Sequence, residues 1–238
     1  MLHYLESGFT RTRCLGCLMA LVLLCPAQLR AQKHPWPEGE KLTLEIFWPS
    51  GVTLGEATLD ARSIKDIHYF SASVEVVLPQ GHIIYKLYST ATAELCSREF
   101  RQSVQRSGKV WEETTSFDAE SGKAMVTRDA RSREYPAAKC LRDPLTYLYF
   151  FRSQAAAGKR ATAESLFLNG LLSLRIDALA SEMVKIKRSE RRGERYQIRF
   201  PGSAGEGRAE LWLDGASAQT PIAVRLPLPF STFSAELR

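Results

Sequence analysis

IHYFSASVEVVL, residues 67–78, decides how this chain folds: Phe70, Ala72, Val74, Val76 and Leu78 recur at every second position and share one face of an extended strand. Pro79-Gln80-Gly81 then turns the chain into a second long segment, residues 83–95. On the N-terminal side, Leu42, Leu44 and Ile46 alternate with Thr43, Glu45 and Phe47, and Pro49-Ser50-Gly51 leads into a strand through Leu54 and Leu59. Gly55 interrupts that strand, as a bulge or a close backbone approach would. These four segments predict an antiparallel meander.

The pattern continues toward the C-terminus. Residues 98–105, 109–117 and 124–127 read as strands joined by turns at Ser107-Gly108 and Glu120-Ser121-Gly122. The period changes at Asp143-Pro144, an N-cap followed by a proline suited to the first helical position, and Gly158 supplies a stop. A helix over about 144–157 is predicted, roughly 20 Å long at about 1.5 Å per residue. Its apolar surface is broader than one stripe, so it is expected to be covered on more than one side. Asn169-Gly170 signals a two-residue hairpin between apolar runs, and strands follow at 171–179, 182–188, 195–200 and 208–214. Ile222, Val224, Leu226 and Leu228 alternate again, and Phe233, Ala235 and Leu237 close the pattern. The reading is a mainly β protein: a curved antiparallel sheet or half-open barrel of about eleven strands with one main helix.

With 238 residues, 45% hydrophobic and 24% charged, the composition is that of a globular chain. The expected organisation is a signal peptide over 1–27, an extended leader over 28–39 and a single β-rich domain over 40–238. Arg11 and Arg13 precede the apolar run 14–25, too short for a usual membrane span, and Pro26-Ala27 permits cleavage after Ala27, with Ala31 a poorer site. An uncleaved anchor is the alternative. Lipidation is disfavoured, because Cys25 follows Leu24 rather than a small residue and Cys17 lies too early. The protein is therefore expected outside the cytoplasm, in the periplasm or extracellular space and peripheral to the envelope, with no transmembrane span after cleavage. Removal of 1–27 lowers the formal charge of +6 by one and discards three of five cysteines, including the Cys14-x-x-Cys17 pair. Cys96 and Cys140 remain, and an oxidising compartment makes a disulfide between them reasonable; the alternative is two buried thiols.

These landmarks taken together, the Gly39-Glu40 entry, Gly51 to Gly55, the Asp143-Pro144 helix with its aromatics and Arg152, and Trp212-Leu213-Asp214 with Pro221, resemble the exported bacterial domain-of-unknown-function family 3108. The resemblance spans roughly 38–238. Its architecture is similar to the half-open antiparallel barrels of periplasmic lipoprotein carriers, whose curved sheet shelters acyl chains beside a helix. The family implies no established reaction, and no carrier signature is recognisable.

Tyr147, Tyr149, Phe150 and Phe151 on the helix are the candidate lining of an apolar pocket; the competing reading is that they fill the core. Lys187, Arg188, Arg191 and Arg192, in a basic hairpin turning near Gly193, are candidates for contact with an anionic surface; Glu190 and Glu194 among them also fit a solvated hairpin. No nucleic-acid partner is expected, since stacking aromatics are not interleaved there. The isolated His34, His68 and His82, without HExxH, give no metal site, and neither a GxSxG elbow nor a phosphate loop occurs, so no cofactor or enzyme class is indicated. Glu112 and Glu113 point to opposite faces of a strand and read as solvent-facing charge. The expectation is a non-enzymatic envelope protein binding a lipid-like or other apolar ligand between sheet and helix. The alternative is a protein–protein interaction module with a filled core, using a sheet edge or an exposed Trp212 face.

Overall fold

A computed structural model describes residues 34–79, 81–159, 163–186, 189–202, 205–216, 218–228 and 231–238. The expected signal segment, and Lys187 and Arg188, lie outside the described residues. His34–Arg238 form one compact unit. Its strands are β1 (Glu40–Phe47), β2 (Thr53–Ile64), β3 (Ile67–Leu78), β4 (Gly81–Thr92), β5 (Ser97–Arg106), β6 (Lys109–Asp118), β7 (Lys123–Arg128) and β8 (Arg131–Pro136). Helix α1 (Pro144–Ala156) follows, then β9 (Ala163–Phe167), β10 (Leu171–Ala178), β11 (Glu182–Ile186), β12 (Ser189–Gly202), β13 (Gly205–Asp214), β14 (Pro221–Leu228) and β15 (Ser231–Leu237).

All described pairings belong to one antiparallel sheet in the order β8-β7-β6-β5-β4-β3-β2-β1-β15-β14-β13-β12-β10-β9, with β11 attached to β12. β1 pairs with both β2 and β15, so the first and last strands lie side by side in the middle of the path. The edges β8 and β9 share no strand ladder; the segment after β8 is tied to β5 by Ser97 N–H donating to Leu141 and to β9 by Phe167 N–H donating to Arg142. Phe167 also packs edge-on against Phe117 and Tyr135, with ring centroids 5.4 and 5.5 Å away. The result is a half-open barrel.

Fifteen strands form among the described residues, more than the eleven or so expected. β8, RSREYP, is largely exposed and has no apolar alternation to reveal it; charges and Pro136 suit an edge that must not pair further. The Asn169-Gly170 hairpin is present with a three-residue connection, Leu168 to Gly170, because β9 ends at Phe167. Asn169 and Gly170 both adopt positive φ, 55° and 140°. Gly55 is a close approach beside a bulge: a Cβ there would stand 1.9 Å from the Glu75 carbonyl oxygen.

Two further expectations are corrected. Gly193 is no turn residue but lies inside β12, paired to Glu182 and Asp214, where a Cβ would press on Ile222, Val184 and Trp212 at 3.1–3.2 Å. The Trp212 face is not exposed. β11 folds Val184 and Ile186 over it, leaving Trp212 4% exposed, its Nε1 donating to Glu182 and its ring flanked by Arg195 and Arg225.

Helix α1 crosses between the two walls of the sheet and is covered on both. Leu145 and Tyr149 join Trp36, Ala61, Phe70 and Ala91 on one side. Tyr147 and Phe151 join Leu174, Ile176, Tyr196 and Leu213 on the other. Trp36 thus makes part of the leader a core element. Asp143 caps the helix, accepting from the backbone N–H of Leu145 and Thr146 and from the hydroxyls of Ser89, Ser97 and Thr146. Burial pushes its carboxyl up, while these donors oppose the shift. At the other end, Arg152 forms a buried bidentate pair with Glu40 (2.6 and 2.8 Å) and donates to the carbonyls of Gln219 and Ala218. Ser97 and Glu40 open β5 and β1, Ser89 lies near the end of β4, and residues 218–219 connect β13 to β14. All these tethers lie at one end of the meander, so α1 fills that end and leaves the other open.

Candidate functional site

The four helix aromatics occupy the space between the walls. Tyr147, Tyr149 and Phe151 are buried; Tyr149 stacks on Phe70 at 4.1 Å and meets Trp36 edge-on at 4.9 Å. Burial raises the phenol pKa of both Tyr147 and Tyr149, and for Tyr149 the Glu40 carboxylate adds to the effect. Phe150 is half-buried, touches both core clusters and lies beneath the Arg142 guanidinium, 3.5 Å from the ring centre.

Away from the helix, the inner face changes character. The face that carries buried Phe70 and Ala72 continues along β3 to Val74 and Val76, and onward through Ile83 and Tyr85 of β4, Val104 of β5 and Trp111 of β6; these six are only partly buried. Apolar inward side chains left partly open to solvent are the usual lining of a ligand cavity. A polar chain crosses the wall: the Tyr85 hydroxyl donates to Gln102 Oε1 at 2.7 Å, and Gln102 Nε2 donates to Glu113 at 2.6 Å. Burial, then the Glu113 charge, raises the Tyr85 pKa. Glu113 is 5% exposed, which corrects its reading as solvent-facing charge: Glu112 takes the outer face and Glu113 the inner.

Beside Glu113 opens a cleft of about 730 Å³ lined by Val126, Arg128, Arg131, Arg133 and Tyr135, with Asn169 across the gap between β8 and β9. Arg128 is paired in register with Glu113 and lies 4.5 Å from the Trp111 ring centre. Its neighbour Asp129 is 3.7 Å away, and Arg133 covers Tyr135 at 5.0 Å. Arg131 has no ion pair among the described residues. The cleft therefore offers guanidinium groups for an anionic or strongly polar group, adjoining an apolar interior for a hydrocarbon chain. Sequence reading missed these residues. The alternation of Trp111, Glu113 and Thr115 on one face was available, but inward and outward faces could not be told apart there.

The basic hairpin is not one patch. Arg191 and Arg192 are strand neighbours, so their side chains leave opposite faces. Arg191 is 3.3 Å from Asp214, and the Arg192 backbone carbonyl accepts from Gly215. Cys96 and Cys140 are joined by a disulfide that ties the β4–β5 connection to the segment entering α1. Among the described residues, no group of three or more His, Cys, Asp or Glu is placed to hold a metal ion. No described helix is long and apolar enough to cross a membrane.

No curated protein matches the sequence. Among solved structures, the fold is similar to a beta-barrel-like protein of domain family DUF1849 from Brucella abortus, at 10% identity over 85% of this chain and 97% of that one, TM-score 0.61. A candidate lipoprotein from Parabacteroides distasonis aligns at 9% identity over 86% and 96% of the two chains, TM-score 0.35. A candidate exported protein with a YmcC-like fold from Bacteroides fragilis aligns at 11% identity over 85% and 95%, TM-score 0.31. The sequence itself matches, over residues 43–238, the proteins of unknown function DUF3108, and the chain belongs to that family.

Proposed function

We propose that this is a non-enzymatic exported binding protein of the periplasm or extracellular space. It holds an amphiphile with its hydrocarbon part in the open half of the barrel and its anionic group at Arg128 and Arg131. Export rests on the 11–27 segment of the sequence. The observation that carries the binding reading is the division of the barrel interior. Helix α1 fills one half, whereas Val74, Val76, Ile83, Tyr85, Val104 and Trp111 in the other are apolar and only partly buried, beside the arginine-lined cleft.

The test is titration of the protein with an environment-sensitive fluorescent fatty acid, competed by unlabelled palmitate. Saturable binding at one site is expected, weakened about tenfold or more by V104W, which fills the cavity. R131E is expected to weaken the fatty acid but not the corresponding long-chain alcohol. Absence of saturable binding by the wild-type protein would overturn the reading.

A further inference from the structure

We infer that the open end of the barrel is a docking rim for an anionic lipid bilayer. In an antiparallel meander, successive hairpins alternate between the two ends of the sheet. Helix α1 and its tethers occupy the end where β1 and β5 begin. The opposite end carries the connections β1–β2, β3–β4, β5–β6, β7–β8 and β9–β10, together with the paired ends of β12 and β13 at Gly202 and Gly205 and of β14 and β15 at Leu228 and Ser231.

Exposed apolar side chains gather at that opposite end. Of the nine large hydrophobic side chains most exposed among the described residues, five belong to it: Val52 (60%), Val77 (63%), Val110 (59%), Leu168 (39%) and Leu171 (63%). They sit on four different hairpins and come together only through topology. Val77, Val110 and Leu171 leave the outer face of the sheet, opposite the inward Val76, Trp111 and Leu172, so they form an outward collar and not part of the cavity. Trp48, on the β1–β2 connection, stands edge-on to Phe233 at 5.1 Å and adds an aromatic of the kind favoured at bilayer interfaces.

Charge at the rim selects the partner. Within the five connections and the two strand residues flanking each side, Arg106, Lys109, Arg128 and Arg131 stand with one acid, Asp129, which already lies 3.7 Å from Arg128; Glu206, near the start of β13 at the same end, is a second acid and lies 3.5 Å from Arg208. Apolar tips interleaved with this excess of cations suit a surface that is negatively charged outside and hydrocarbon beneath. A neutral protein partner would leave those cations without a counter-charge. The arrangement would bring the mouth of the barrel to the membrane surface, but docking does not depend on whether the cavity holds a ligand.

The experiment is vesicle flotation of the protein recovered from cells expressing the full chain, its N-terminus read by mass spectrometry. Vesicles are phosphatidylcholine alone or an equimolar mixture with phosphatidylglycerol. The wild type is expected to float with the mixed vesicles and to be released by high salt. V77D/V110D/L171D should bind at least about tenfold more weakly. I64D/L179D, which alters exposed apolar residues at the helix-filled end, should bind as the wild type does. All five positions are surface-exposed, and circular dichroism checks that each variant is folded. Equal binding by the triple variant and the wild type overturns the inference, as does failure of the wild type to bind either vesicle. A dimer lost in the triple variant, without vesicle binding by the wild type, would assign the rim to a second copy and equally overturn it. Fluorescent fatty-acid binding without vesicles is expected to survive in the triple variant, so the docking and cavity readings fail separately.

Discussion

Removing one partner from the Arg152–Glu40 pair should cost far more than removing both. The two side chains are 0% and 4% exposed, joined at 2.6 and 2.8 Å, and separated by 112 positions in sequence. In Glu40→Leu the guanidinium keeps the carbonyls of Ala218 and Gln219 and the rings of Trp36 and Tyr149 but loses its counter-charge, and a buried charge left without its ion partner costs about 3–5 kcal/mol. At roughly 2–4 °C per kcal/mol for a domain of this size, the melting temperature should fall by about 10 °C. Arg152→Met strands the carboxylate and also strips both carbonyls of their donor, so it should be the costlier single change, by about 1–2 kcal/mol. The double variant carries no buried charge and retains chiefly the carbonyl penalty. Urea unfolding of the four proteins with the disulfide intact closes the cycle. The double variant should be less destabilised than either single variant, so the summed single costs should exceed the double cost by at least about 4 kcal/mol. Additivity within about 0.5 kcal/mol would refute the claim that this pair is energetically coupled.

Cys96→Ser/Cys140→Ser opens a loop with a sequence separation of 44 residues. The chain-entropy argument puts the loss at about 4 kcal/mol, measured as a lower urea midpoint, and an unchanged midpoint would contradict it. Acid should also weaken the fold through His34 and His68, whose rings meet edge-on at 4.3 Å. Burial, then the neighbouring His68, holds His34 down to about 4 from its ordinary 6.5, and burial lowers His68 as well. The unfolded chain then binds more protons than the folded one between these values. The contribution to stability is thus complete above about pH 6.5 and lost as the pH falls toward 4. A smaller drop in unfolding free energy between pH 7 and 5 is expected for H34Q/H68Q; an identical drop in variant and wild type would exclude these rings as its source.

What the sequence determined by itself was local. Period-two alternation in 67–78 and its neighbours specifies strands, and Asp143-Pro144 with Gly158 brackets the helix, because side-chain direction and capping are set by near neighbours. The meander followed from the turns. Tertiary structure alone decided what each face meets. Trp212 has the alternation of an outer-face residue but is covered by β11, whose Glu182 accepts from the Trp212 indole across a sequence separation of 30. Glu113 looks like surface charge until the sheet curves it inward to Gln102. Glu40 and Arg152 pair only because the helix returns to the end of the barrel where β1 begins. The candidate cleft and the apolar rim also depend on the whole sheet: its curvature brings Asn169 opposite the β7–β8 hairpin in the cleft, and the alternation of hairpins along the antiparallel order puts the rim residues of four hairpins at one end.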